Sequence, residues 1–340
     1  MNLKIKSLIY LLVCCCFLGC EQNIVVQYDP DPQTNFDALW HILDQKYCYF
    51  DTKNIDWNGV RTIYEPKATQ ATTSIELFDV LAQMIDTLQD GHVNLYSPFD
   101  ISRCRGWFEN YPSNFNESVI YDSLYLGKNY RIAGGFNYNT INQGNIGYMR
   151  YASFSSGFSS ANFAYIDYQF KNCKGIIIDV RNNGGGDLDN SKIFASCFFK
   201  EKTLTGYMRH KTGFGHSDFS DMEPMYVDPA IAPIDWSDKK VVVLCNRRCY
   251  SATNNFIVNV LQAPHVTVIG GTTGGGGGLP LSSELPNGWM IRFSAVPMYD
   301  QNQQETEFGV DPHIFVTMKS TDVAESKDTL IEYAIALINN

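Results

Sequence analysis

Three short, largely β-branched runs punctuate the second half of the chain: Ile176-Ile177-Ile178, Val241-Val242-Val243-Leu244-Cys245, and residues 266–269. None is long enough for a helix, and none alternates apolar with polar, so each reads as a strand buried on both faces. Between them the apolar spacing changes to that of a helix, over residues 159–170, 191–198 and from Ala252 to Leu261, where Pro264 stops it. Strand, turn and helix in repetition predict an α/β core with a mostly parallel sheet. Upstream, Phe36, Leu39, Trp40, Leu43 and Tyr47 fall on one helical face, and two more amphipathic helices are expected over residues 56–64 and 74–88, the last capped by Ser74. Residues 289–297 and 308–316 read as strands and 330–338 as a closing helix. Residues 97–143 are aromatic and rich in Asn and Gly, and suggest short strands of a meander.

The N-terminus follows a different pattern. Lys4 and Lys6 precede an apolar stretch, residues 8–18, too short to span a bilayer, which ends in Phe17-Leu18-Gly19-Cys20. That ending resembles the bacterial lipoprotein box, in which cleavage before the cysteine is coupled to its lipidation. The expected organisation is a signal peptide (1–19), a tether with Pro30 and Pro32 (20–33), a helical domain (34–96), an irregular β-rich connection (97–144) and an α/β core (145–340). Cys20 would then hold the protein in the cell envelope, periplasmic or surface-exposed.

The 340 residues carry a net charge of −10, and no Lys/Arg run stands out, which argues against nucleic acid as a partner. Of ten cysteines, four lie in the leader. The other six show no repeated pair spacing and no accompanying His cluster, so no metal site is expected. Cys173, Cys197 and Cys245 sit in apolar contexts and read as core thiols. The glycine runs lack GxGxxG and GK[ST], so no nucleotide cofactor is expected. A 14% aromatic content would suit a glycan binder, but the aromatics look periodic and therefore buried.

Chemistry enters at Ser251, at the junction of a buried strand and a helix. There a serine either caps the helix or stands as a nucleophile, with the helix's first N–H groups aimed at an oxyanion. Gly184-Gly185-Gly186 follow another buried strand, where glycine lets the backbone come close to a ligand and present its amides. His92 leaves a helix in Gln89-Asp90-Gly91-His92; a lone histidine at such a point is usually structural. His313, in Asp311-Pro312-His313, is read as structural too.

Taken in order, DGH, strand-DVRNNGGG, strand-NRRCYSA-helix, VIGGTTGGG and EFGVDP resemble the tail-specific (C-terminal-processing) serine peptidases, in the branch related to the tricorn protease core. The aromatic opening, Trp40 to Tyr64, resembles that of bacterial lipoprotein members. The resemblance implies an α/β, crotonase/ClpP-like core with a mixed sheet, preceded by a small helical domain. It also implies peptide-bond hydrolysis with no cofactor. Ser251 matches the nucleophile, and the amides of Ala252 and of Gly184 or Gly185 match the oxyanion donors. Relatives ending the glycine loop as TxGKG use that lysine as base, and Gly276 stands in its place here. The tricorn-like branch uses a histidine and a carboxylate instead, matching His92 and Glu307. A serine precedes that histidine in the branch, where this chain has Gly91. An imidazole with its ordinary pKa, about 6.5, would titrate in the neutral range. Many members insert a PDZ domain after DGH, and residues 97–144 are short for one. An inactive member that binds peptide or a small apolar ligand in the same cleft is the alternative.

Overall fold

The computed structural model describes residues 30–122 and 124–340; the leader, Cys20 and most of the tether lie outside the described residues. Among the described residues twelve strands run in order: β1 Asn94–Tyr96, β2 Arg131–Ala133, β3 Phe136–Ile141, β4 Ile146–Tyr151, β5 Gly175–Asp179, β6 Thr203–Met208, β7 Glu223–Val227, β8 Val241–Cys245, β9 Val266–Gly270, β10 Gly278–Glu284, β11 Met290–Asp300 and β12 Ile314–Phe315. The main sheet has seven strands in the order β12-β9-β8-β5-β4-β3-β2. From β12 to β4 it is parallel, and β3 and β2 join antiparallel.

Both faces of β5 and β8 are covered, which explains their unbroken apolar sequence. Ile176, Ile178 and Val243 face a core with Phe163, Phe194 and Phe256 from the overlying helices. Ile177, Val242 and Leu244 face the opposite way, onto Leu330, Ile331 and Ala334 of the closing helix Thr329–Asn339.

The second sheet is antiparallel, in the order β1-β11-β6-β7, with β10 also paired to β11. The helices Pro32–Lys46, Trp57–Thr69 and Ser74–Asp86 pack on it and share one core with Ile291, Phe293 and Ala295 of β11. Trp40 and Trp57 stack at 6.3 Å, each indole N–H donating to the other's backbone carbonyl at 3.1 Å. Residues 34–96 are thus fused to the second sheet by a common core.

The structure amends several expectations. Thr73, not Ser74, caps the third helix, in a reciprocal capping box with Glu76. Residues 97–143 form a meander only in their second half, where β2 and β3 run antiparallel with β4 at the edge of the main sheet; two single-turn helices, Gly106–Glu109 and Glu117–Ile120, precede them. Residues 308–313 are not strand, because Gly309 and Val310 wrap around Thr273. The strands β6, β7 and β10 were not expected. The six described cysteines are all free thiols.

Candidate active site

β8 runs out at Cys245 into a turn that is fastened on every side. Asn246 donates to Ser113 O and accepts from Asn182 N, Tyr250 N donates to Asn183 O, and Ser251 N donates to Gly275 O at 2.8 Å. The result is Ser251 at φ 57°, ψ −121°, immediately before the helix Ala252–Val260. A side chain at such a backbone costs about 1–3 kcal/mol and persists only where its surroundings impose it. Ser251 holds the N-cap position, yet its hydroxyl makes no capping hydrogen bond. Of the two readings of this serine, the geometry leaves the uncommitted hydroxyl of a strained elbow.

The glycine loop lies against it. Gly185 has φ 103°, and a Cβ there would fall 2.8 Å from Ser251 Cβ and 3.0 Å from Ala252 N. Gly185 N–H donates to Asn183 Oδ1, so Gly185 does not serve as an oxyanion donor in this geometry. The amides of Gly184 and Ala252 have no acceptor among the described residues and remain available. Arg181 anchors the loop from below: fully buried, it pairs with Asp179 at 2.7 Å and with Asp328 at 3.0 Å. Beside Ser251 lies a cavity of 160 Å³ with Leu188, Met225, Val258 and Met298 in its walls. In front of it is an open cleft of 630 Å³ that His92 also lines.

His92 is only 2% exposed, and neither ring nitrogen makes a hydrogen bond. Gly278's backbone lies near enough to favour the protonated ring slightly, but without sound hydrogen-bond geometry. Burial, with Arg292 and Lys53 adding to it and Asp90 opposing, lowers the imidazole to about 4. Asp90 Oδ1 accepts from the His92 backbone N–H at 2.8 Å, which fixes the turn. Asp90 also accepts from Tyr47 and Ser294.

Glu307 departs from its expected role. Its carboxylate is not on His92: one oxygen takes Lys53 Nζ at 2.7 Å and the other takes Gly277 N at 3.1 Å. Lys53, itself nearly buried, offers a full positive charge and also reaches Asp90 at 3.7 Å. Burial would lower Lys53, yet Asp90 and Glu307 together hold it above its ordinary value, so it keeps its proton. Burial and then the Asp90 charge push Glu307 up to about 8, against the pull of Lys53.

That shift makes a stability prediction. Folded Glu307 binds its proton up to about pH 8 and unfolded Glu307 only up to about 4.5, so this group's stability contribution falls as pH rises between the two. His92 runs the opposite way, but only below its unfolded value near 6.5. Between about pH 6.5 and about pH 8.5 the wild-type Tm should therefore decline, and in Glu307→Gln the decline should largely disappear. Parallel Tm curves in calorimetry would contradict the raised carboxyl.

Tyr250 explains both departures from the related peptidases. Its ring stacks on Trp107 at 4.2 Å and lies 4.9 Å from His92. A Cβ at Gly91 would meet Trp107 Nε1 at 2.6 Å and Tyr250 Oη at 2.9 Å, and one at Gly276 would run into the Tyr250 ring. The phenol thus fills the space that both a serine at 91 and a lysine at 276 would need. The five-glycine run is correspondingly a closely approached loop: Gly275 lies against Glu307 O and Gly277 against Thr306. His313 is structural as expected, its Nδ1 accepting from Val268 N at 3.0 Å. No sequence pattern marks Lys53 or Trp107 as part of the site. Asp90 and Tyr250 offer a cue only in standing beside an expected site residue.

Residues 145–316 match the profile of peptidase family S41, and residues 28–86 that of the tricorn protease C1 domain. The structure is similar to that of a candidate peptidase from Parabacteroides merdae, at 47% identity and TM-score 0.85, covering 91% of this chain and 97% of that one. Mature CPAF complexed with lactacystin is similar in fold, at 13% identity and TM-score 0.65 over 91% and 97% of the two chains. So is the photosystem II D1 C-terminal processing protease, at 16% identity and TM-score 0.53 over 85% and 94%. No curated protein sequence matches significantly. The matched core carries the serine elbow and the glycine loop, and the chain belongs to peptidase family S41, the serine-type, tail-specific peptidases.

Proposed function

We propose that this peptidase hydrolyses peptide bonds of exported proteins or peptides through an acyl-enzyme on Ser251. Oγ attacks the scissile carbonyl as its proton passes to His92, and the carbonyl π pair moves to the oxygen, which the Ala252 and Gly184 amides receive. Collapse re-forms the carbonyl and breaks the C–N bond, His92 returning the proton to the leaving amine. Water then attacks the ester as His92 takes its proton; collapse breaks the C–Oγ bond, and His92 returns the proton to Ser251 Oγ as the acid product leaves. His92 and Ser251 line one cleft without a hydrogen bond between them, and substrate binding brings them into register.

The observation that carries this reading is the strained backbone of Ser251 with its hydroxyl uncommitted. The test is labelling with a fluorophosphonate, which reports an activated serine: wild type should label and Ser251→Ala should not. The uncoupled His92 favours a second reading, a member that binds peptide without cleaving it. An unlabelled wild type would select that one.

We also propose that Cys20 carries a lipid anchor to a bacterial membrane of the cell envelope. A Cys20→Ser protein should then leave the membrane fraction, since the segment before it is too short to span. Membrane retention of that variant at the normal mature mass would refute the anchor.

A further inference from the structure

Asn255 stands one turn beyond Ser251 on the helix Ala252–Val260, its backbone N–H donating to Ser251 O at 3.0 Å. Residues so spaced share a helical face, so the helix that presents the nucleophile also brings Asn255 to the 160 Å³ cavity beside it. The side chain is held from behind. Its Oδ1 accepts from Ser191 Oγ, on the helix Leu188–Ser196, at 3.0 Å and from Asn259 Nδ2 at 3.1 Å. Asn255 is only 7% exposed, and Ser191 and Asn259 are buried with it. With Oδ1 committed to two donors, Nδ2 has no partner among the described residues, and the open space at this residue is the cavity. The neighbouring Asn254 differs: it donates to Thr306 O and accepts from Thr273 Oγ1, so both ends of its amide are engaged.

A nearly buried donor in a cavity wall penalises an apolar occupant, because filling the space displaces water and leaves the N–H unpaired. Leu188, Met225, Val258 and Met298 make the other walls apolar. Apolar walls with one donor suit an unbranched stem carrying an acceptor at its tip. The volume suits a group about the size of benzene, and the turn from Ser251 to Asn255 spans about 5.4 Å, so that tip must lie several bonds from the main chain. Glutamine meets these requirements, and its amide pairs with another amide without taking a charge out of water. His92 decides which side of the scissile bond supplies it. His92 lines the open cleft and not this cavity, and it must reach the leaving amine. The cavity is thus left to the residue on the acyl side.

We propose that Asn255 is a specificity-determining residue that selects glutamine on the acyl side of the scissile bond. The inference rests on the peptidase reading above and deepens it. Arg292, the one cation lining the cavity, is the rival receiver and would favour glutamate instead.

Three fluorescein-labelled, C-amidated peptides, Ala-Ala-Xaa-Ala-Ala with Gln, Met or Glu at Xaa, test this, with mass spectrometry of the products locating the cut. Wild type should cleave after Gln with kcat/KM about fivefold or more above that for Met, which has nearly the same shape and no amide. Asn255→Leu should reverse the order in favour of Met. Should that variant fail to fold, Asn255→Ser, which keeps a hydroxyl for Ser191 and withdraws from the cavity, should bring the ratio near one. Gln and Met within about twofold in wild type would overturn the proposal. So would a cut that leaves Gln on the amine product, or a Gln preference kept by either folded variant. Glu cleaved faster than Gln would also overturn it, by assigning the tip to Arg292. The same peptides titrated onto Ser251→Ala by fluorescence anisotropy give the preference without turnover. A Gln preference in binding, in a protein whose serine is never labelled, would end the peptidase reading and leave the role of Asn255 standing. A labelled serine with equal binding of Gln and Met would end the proposal alone.

Discussion

Ser251→Ala should fold like the wild type, keep its affinity for peptide and cleave nothing measurable. Loss of a serine nucleophile typically removes on the order of 10⁴–10⁶ in kcat. The stability change should stay within about 0.5 kcal/mol, because Oγ caps no amide and alanine bears the same backbone constraint at φ 57°. Turnover and Tm measured on the same preparation check both halves. A variant that still cleaves the wild-type substrate at an undiminished rate would place the nucleophile elsewhere.

His92→Ala should lose on the order of a hundredfold or more in kcat. Its pH dependence is the sharper measurement. From its ordinary value an imidazole would bring the rate up through neutral pH, but burial has moved this one to about 4. The wild-type rate should therefore be flat across neutral pH and fall on the acid side with a midpoint near 4, and the variant's residual rate should lack that limb. No lysine substitutes as base. Lys53 stays charged beside Asp90 and hydrogen-bonded to Glu307, Lys239 pairs with Asp167 at 3.3 Å, and Lys240, beside the first residue of β8, is at the strand's far end from Ser251. A variant as active as wild type would end the assignment of His92. An acid limb near 6.5 would show that the ring acts in water instead of in its dry, buried setting.

Much of this site is legible in the sequence because it depends on local pattern. β5 and β8 announce themselves by being apolar on both faces, and each hands its turn to a glycine or a serine that the next helix needs. His92 is visible only through the order of motifs, since a histidine after a helix carries no chemistry by itself. Glu307 shows where such reading stops. Its partner Lys53 lies 254 residues upstream, on a single-turn helix with nothing local to connect the two. Tyr250 stands in the sequence as one more residue of a turn, although its ring decides what can stand at Gly91 and Gly276.

Lys53 also bears on portability. The stretch that defines the family, residues 145–316, holds Ser251 and Glu307 but not Lys53, Asp90 or His92. Grafted alone onto another scaffold, that stretch would carry a nucleophile without its base and a buried carboxylate without its cation. The smallest transplantable unit therefore reaches back through the N-terminal helices, whose bulk is needed to deliver one ammonium group to the far end of the chain.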